Sequence, residues 1–368
     1  MKITNGLLLK LLVLAAALAA MTWVISGLDG KVPAGFTPGA PLVQGFDAQQ
    51  VGKIVVRDQG ADGAHTATLS AQADGSFTIA EKDGYPADFE EINESLRTIL
   101  DIRTAAKLAN SPEANPEFGI AEKGSATADA AFFDKDGKEI LKLYVGAANG
   151  RGHAVMTRGA AGASAVFRSE TPVEISGQPL SFIDQTVLKA DGKKIKTVEI
   201  ERKDGKFSLA GKDGVLKLQN LPAGKEENDA EAWGLKDGLT HLMFEDVAKN
   251  APAGLEEKCR WTVTMENGTV YRLALLRGAA GSWVTASSDE PRLARPENAV
   301  VLDHAIRYNR AHKGWHFKIS DWNAERLDKP FAAFLKDIPQ PEKKTEKNEP
   351  APAENAKAGT APAAPENK

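Results

Sequence analysis

The chain has 368 residues, with 46 Lys and Arg against 50 Asp and Glu, a formal net charge of −4, and 26% charged and 42% hydrophobic residues. Such a balance argues against a dedicated nucleic-acid binder, which carries a strong basic excess, and the length suits about two domains whose cores need no covalent staples. The single cysteine, Cys259, excludes an intrachain disulfide framework and a cysteine-rich metal site.

The first element is the apolar run Gly6–Leu28, interrupted only by Lys10. About 20 helical residues at 1.5 Å each match a hydrocarbon core of about 30 Å, and Lys10 has a stem long enough to reach the headgroups. Ala17-Leu18-Ala19 offers an alternative, a signal peptide cleaved after residue 19, but apolar residues continue through Met21, Trp23, Val24 and Ile25. The reading adopted is a cytoplasmic stub and uncleaved transmembrane anchor over 1–29. Lys2 and Lys10 lie before the span while Asp29 and Lys31 cancel after it, which places the bulk of the chain outside the cytoplasm; in a bacterium that is the periplasmic face of a single-pass inner-membrane protein. Residues 30–45, rich in Pro and Gly, read as a linker.

The body consists of short alternating runs separated by Asp74-Gly75, Asp136-Gly137, Asp204-Gly205 and Asn267-Gly268, dipeptides that supply the positive φ of tight hairpins. Two stretches align. Asp74–Ile79 matches Asp204–Leu209, and the hairpins around Gly137 and Gly268 follow at similar spacing. A helix is expected between the hairpins of each copy. In the first, Asp88 and Glu91 form a capping box ahead of Phe89, Ile92, Leu96, Ile99 and Leu100; in the second, Asp229 caps a stripe of Trp233, Leu239, Leu242 and Met243, weakened by Gly234 and Gly238. Thr171–Glu174 carries the signature of a further helix start before a crossover at Pro179–Leu188. A helix over Val300–Tyr308, a strand over Trp315–Ile319 and an amphipathic turn or two over Pro330–Ile338 close the second copy. The expected fold class is α+β, a tandem duplicated antiparallel-sheet-plus-helix module behind the anchor, with repeats at 46–190 and 191–338. Residues 339–368 contain no Leu, Ile, Val, Phe, Met, Trp or Tyr and read as a disordered tail, a solvated spacer.

The order of Pro116–Ile120, Leu143–Gly146, Gly152–Arg158, Ala165–Phe167, the crossover Leu180–Leu188, Val198–Ile200 and Gly205–Leu209 resembles the domain-of-unknown-function family DUF4340, over roughly Phe46 to Ile338. His153-Ala154 departs from it where an aromatic is usual. The resemblance implies a membrane-anchored protein without an assigned reaction, and an association of some members with ABC-type transporter components of the gliding-motility kind.

Chemistry-bearing motifs are few. Gly146–Gly152 has the glycine spacing of a phosphate loop, but a strand follows where a helix is required, so it reads as a hairpin connection. His312 and His316 have i, i+4 spacing, yet Gly314 breaks the helix that metal binding needs. Asp303, His304 and Arg307 read as a solvated face. Cys259, between Lys258 and Arg260, reads as a small half-buried side chain rather than a thiolate. Glu90-Glu91, Glu226-Glu227 and Glu256-Glu257 diverge and read as solubility, and Trp233, Trp261, Trp283, Trp315 and Trp322 as core rather than a carbohydrate platform. No catalytic, metal or cofactor residue is assigned. The expected function is a non-catalytic interaction or binding module for envelope or ABC-transporter-type partners. The alternatives are an envelope hydrolase with a site at the lobe junction and a periplasmic small-ligand binder.

Overall fold

A computed structural model of the chain describes residues 36–111, 116–120, 127–159, 165–212, 214–292 and 298–339. The anchor at 1–29 and all but the first residue of the segment 339–368 lie outside the described residues; within them no helix is long and apolar enough to cross a membrane. The fold is mixed α+β, mostly antiparallel sheet with four α-helices among the described residues.

The first sheet begins with the hairpin β1 (Val51–Gly60) and β2 (Gly63–Ala71), continues through β3 (Phe77–Ile79) and β4 (Tyr85–Pro86), and then gives way to α1 (Phe89–Leu100). After the helix come β5 (Thr104–Ala109), β6 (Ala128–Asp134), β7 (Glu139–Asn149), β8 (Gly152–Gly159) and β9 (Val166–Ser169). Their order across the nine-stranded sheet is β4-β3-β2-β1-β6-β7-β8-β9-β5. A crossover carrying β10 (Thr186–Lys189) leads to β11 (Ile195–Arg202), β12 (Gly205–Lys212), β13 (Val215–Leu218) and β14 (Lys225–Glu227), then α2 (Asp229–Thr240). The rest of the second half comprises β15 (His241–Met243), β16 (Asp246–Ala248), β17 (Glu256–Met265), β18 (Val270–Gly278), β19 (Gly281–Ser288), α3 (Asn298–His312), β20 (His316–Ile319), α4 (Asp321–Leu327) and β21 (Leu335–Asp337). The eight-stranded second sheet runs β13-β12-β11-β17-β18-β19-β20-β16. In both sheets the hairpin series is laid down outward from one central pair, and a strand after the helix crosses to the far edge: β5 directly after α1 in the first, β16 after the intervening β15 in the second, β15 itself pairing with β10. Both also open on an aspartate-capped 3-10 turn, Asp47 accepting from Gln49 N and Asp191 from Lys193 N, each at 3.0 Å. A register shift follows at Val51/Lys53 in one and Ile195/Thr197 in the other.

The register corrects one alignment made above. Asp204-Gly205 closes the β11–β12 hairpin, the place held in the first sheet by Asp62-Gly63, whereas Asp74-Gly75 closes the next turn, between β2 and β3. A dipeptide with φ > 0 at its glycine, +131° at Gly63 and +147° at Gly205, announces a tight turn but not which of two successive turns it is. The Gly137 and Gly268 hairpins do correspond, linking β6 to β7 and β17 to β18.

Helix α1 forms over the expected residues, although Phe89, placed on the apolar face by its spacing, is 66% exposed. Asp88 accepts from Glu90 N (2.7 Å) and Glu91 N (3.3 Å), and Ile92 and Ile99 are buried. In α2 the buried side is small, with Ala232, Gly234, Leu235, Gly238 and Leu239, while Trp233 is exposed and Leu242 and Met243 belong to β15. The N-cap is Asn228, and Asp229 is the first helical residue. The two glycines let α4 approach: a Cβ on Gly234 would lie 2.8 Å from Arg326 Nε, and one on Gly238 3.1 Å from Leu327 Cδ2.

Three further expectations change. Thr171–Glu174 is extended, because Val173 N donates to His153 Nδ1 (3.0 Å) and Gly177 N to Asp58 Oδ2 (2.8 Å), which hold the strap flat against the sheet. The second part of the 30–45 segment is packed: Leu42 and Val43 are buried, Phe36 stacks on Phe167, and Gly39 N and Leu42 N donate to Thr104 O and Ile102 O. Pro330–Ile338 is a single 3-10 turn at Phe331–Phe334 followed by β21, which pairs with β14. The α3 and β20 expectations hold, with the helix extending four residues further, to His312.

One apolar core runs through both sheets. Tyr85, on the edge of the first sheet, enters the second: its ring lies 4.9 Å from Trp315 and 6.1 Å from both Phe244 and Phe317. Lys82 and Asp246 (2.6 Å) and the Asp83 carboxylate with Lys249 N (3.1 Å) fix the same loop.

Candidate functional site

A cleft of about 530 Å³ opens beside the first sheet, between α1, the end of β1 and the strap after β9. Its floor is apolar, built from the buried Val56, Ile99, Val145, Val173 and Phe182. The rim is polar. Glu91, Glu94, Ser95 and Thr98 come from the outer turns of α1, whose 3.6-residue period turns Ile92 and Ile99 inward and leaves these side chains facing the opening. Asp58, Gln59, Thr127, Glu174, Ser176 and Ser181 complete it, and among the described residues no Lys or Arg lines it.

Asp58 organises the wall. Its Oδ1 lies 2.7 Å from His65 Nδ1, and its Oδ2 accepts from Gly177 N at 2.8 Å, so one carboxylate joins the β1–β2 hairpin to the strap. On the other side of the ring, His65 Nε2 lies 3.2 Å from Asp62 Oδ1. The hydrogen bond to Asp58, assisted by Asp62 and opposed by desolvation, holds the imidazole pKa above its ordinary value. A raised folded-state pKa stabilises the fold fully below the unfolded value of about 6.5 and ceases to do so as pH rises through the folded value. The stability difference between the native chain and His65→Gln is therefore expected to be largest below about pH 6.5 and to shrink above it. Denaturant midpoints measured across that range check this, and a pH-independent difference refutes it.

The residues singled out from sequence do not converge. The Gly146–Gly152 segment is the end of β7, the turn Gly150-Arg151 and the start of β8, and a Cβ on Gly146 would sit 2.0 Å from the Phe118 carbonyl oxygen. His312 ends α3 and His316 starts β20. Both His312 nitrogens are occupied, Nδ1 2.8 Å from Tyr308 O and Nε2 2.9 Å from Thr186 O, and the ring stacks on Tyr308. No group of three or more metal-ligating side chains is present among the described residues. Arg307 pairs with Asp303, but His304 is more than a solvated face: its Nε2 lies 2.7 Å from the Tyr271 hydroxyl.

Cys259 is buried, donates to Leu327 O at 3.6 Å, and has its thiol pushed up to about 12 by burial, with Asp328 adding to the effect. Alkylation of the folded protein at pH 8 is expected to leave Cys259 unmodified, with full labelling after denaturation; labelling at equal rates in both states refutes this placement.

Glu227 corrects the solubility reading of Glu226-Glu227. It is buried, accepts from Leu218 N (2.9 Å) and pairs with Lys236. The tryptophans divide: Trp261, Trp283 and Trp315 are core, while Trp233 and Trp322 are 62% and 60% exposed. At the lobe junction the centre is filled by the Tyr85, Phe244, Trp315 and Phe317 rings. A shallow groove beside them carries Asp88, Glu90, Gln178, Asp184 and Met243.

Residues 78–258, about half of the chain, match the family profile described as Domain of unknown function (DUF4340). This stretch belongs to the DUF4340 family. The DUF4340 match runs from β3 of the first sheet through the crossover into β17 of the second, so it takes in α1, the strap and His153 but not the β1 wall of the cleft. No curated protein and no solved structure matches the chain.

Proposed function

We propose that this protein is a membrane-tethered, extracytoplasmic binding module without a catalytic role, and that the first-lobe cleft is where it takes its ligand. The observation that carries this is the cleft itself, with its apolar floor and a rim of carboxylates and hydroxyls. Such a surface suits a small molecule or peptide end with an apolar body and amine or hydroxyl donors. The tether rests on the Gly6–Leu28 run and its flanking lysines, and envelope or ABC-transporter-type partners rest on the DUF4340 resemblance. The shared strand order, the matching register shifts and the two aspartate-capped turns support descent of 46–190 and 191–338 from one duplicated unit.

The test is a thermal-shift screen of the full chain in detergent against spermidine, lysine-containing tripeptides and neutral sugars. A ligand of the native state raises the melting temperature by mass action. A saturable rise that Glu91→Gln with Glu94→Gln abolishes is the expected result. No rise with any probe, or a rise unaffected by the double variant, overturns the assignment of the cleft. Recovery of the intact chain from the soluble fraction overturns the tether.

A further inference from the structure

Trp233 on α2 and Trp322 on α4 are 62% and 60% exposed, yet they are not loose. Both rings lie against the guanidinium of Arg326, whose Cζ is 5.1 Å from the Trp233 centroid and 3.8 Å from that of Trp322. Arg326 is itself only 8% exposed, donates to Asp237 Oδ2 at 3.0 Å, and occupies space that the missing side chain of Gly234 leaves open. The result is a preorganised pair of indole faces turned to solvent, the kind of aromatic surface on which proline rings and the free carbonyls of a polyproline II segment dock.

We infer that this platform receives the chain's own C-terminal segment, with Pro350-Ala351-Pro352 as the occupant. Proline supplies the only large apolar rings beyond Ile338, and Pro350 and Pro352 are spaced by Ala351 and followed by Ala353, with Glu349 ahead of them. The segment leaves the body from β21, paired with β14 directly before α2. Phe334 O accepts from Asn228 N at 2.8 Å and Lys329 pairs with Glu231, so the exit lies beside the first turn of the helix that carries Trp233. Pro350 is 12 residues past Ile338, a span of about 37 Å at about 3.1 Å per residue, against about 18 Å for the whole of α2. Tethering at that length gives an effective concentration in the millimolar range, enough for a stacking contact too weak to hold a free peptide.

The full chain labelled with 5-fluorotryptophan tests this. A nitroxide is placed through Ala351→Cys, Cys259 being buried, and the Trp233 and Trp322 resonances are assigned from Trp233→Phe and Trp322→Phe. The expected result is loss of most of the intensity of those two signals, retention of those of Trp261, Trp283 and Trp315, and recovery when Pro350 and Pro352 are both replaced by Ser. Unbroadened Trp233 and Trp322 signals overturn the proposal, as does equal broadening of every tryptophan. Broadening that disappears on dilution with unlabelled chain places a second copy's segment on the platform and also overturns it. Broadening that survives the double proline substitution removes proline as the recognised group and overturns the assignment of the occupant.

Discussion

Tyr85→Ala is expected to lower stability by about 3–5 kcal/mol, the cost of removing a fully packed aromatic side chain. Tyr85 is 3% exposed, and although it belongs to a two-residue strand at the edge of the first sheet, its neighbours Phe244, Trp315 and Phe317 all come from the second half of the chain. Edge-to-face pairs of this kind add to the gain from apolar burial, and in a close-packed core the loss of the ring leaves a cavity. The flanking Lys82–Asp246 pair is partly exposed and contributes little by comparison. Burial also pushes the Tyr85 phenol pKa up, so the ring remains neutral across the physiological range. Tyr85→Phe keeps the volume and is expected to cost less than about 1.5 kcal/mol. Urea unfolding followed by far-ultraviolet circular dichroism and tryptophan emission measures both variants. In Tyr85→Ala the two probes are expected to separate, because the lobes lose the side chain that couples them. A loss below about 1 kcal/mol with coincident probes rules out this role.

The second large effect belongs to Trp261. It is 2% exposed in the centre of the second sheet, opposite Ile200 and Leu273, and its indole Nε1–H has no hydrogen-bond partner among the described residues. Trp261→Ala is expected to cost about 3–5 kcal/mol through the cavity it leaves. Trp261→Phe removes part of the ring but also removes an unpaired buried donor, whose desolvation costs about 1–3 kcal/mol. The two contributions oppose each other, and the expected loss is within about 1 kcal/mol. Chemical denaturation of both variants decides it: a Phe variant as damaged as the Ala variant shows that the indole nitrogen is satisfied in solution.

What the sequence displayed and what it concealed follow from the range of the interactions involved. The α1 helix was legible because its cap, its period and its end all lie within 14 residues, Asp88 to Asp101. The α2 helix was misread because its buried face was assigned to the largest apolar residue, Trp233, when the partner helix α4 demanded the smallest, Gly234 and Gly238. Glu227 looks like any surface carboxylate until β13 and α2 bring Leu218 N and Lys236 to it. The cleft was invisible for the same reason: Asp58, Glu94, His153 and Glu174 carry no spacing that joins them, and only the outward growth of the sheet from β1 and the return of the strap after β9 assemble them. The position of Asp58 had one local sign, the acidic residue next to the hairpin that holds His65, but nothing nearby announces Gly177 as its other partner.

The pairing of Tyr85 with Trp315 has a consequence for biogenesis. The tyrosine leaves the ribosome 230 residues before its main ring partner. The first sheet therefore forms on the nascent chain with a bare aromatic at its rim, and that ring waits for α3 and β20 to be synthesised before it is covered. A premature stop between the end of β9 at Ser169 and Trp315 leaves the first sheet with an adhesive edge, the species that quality-control proteases are expected to clear first.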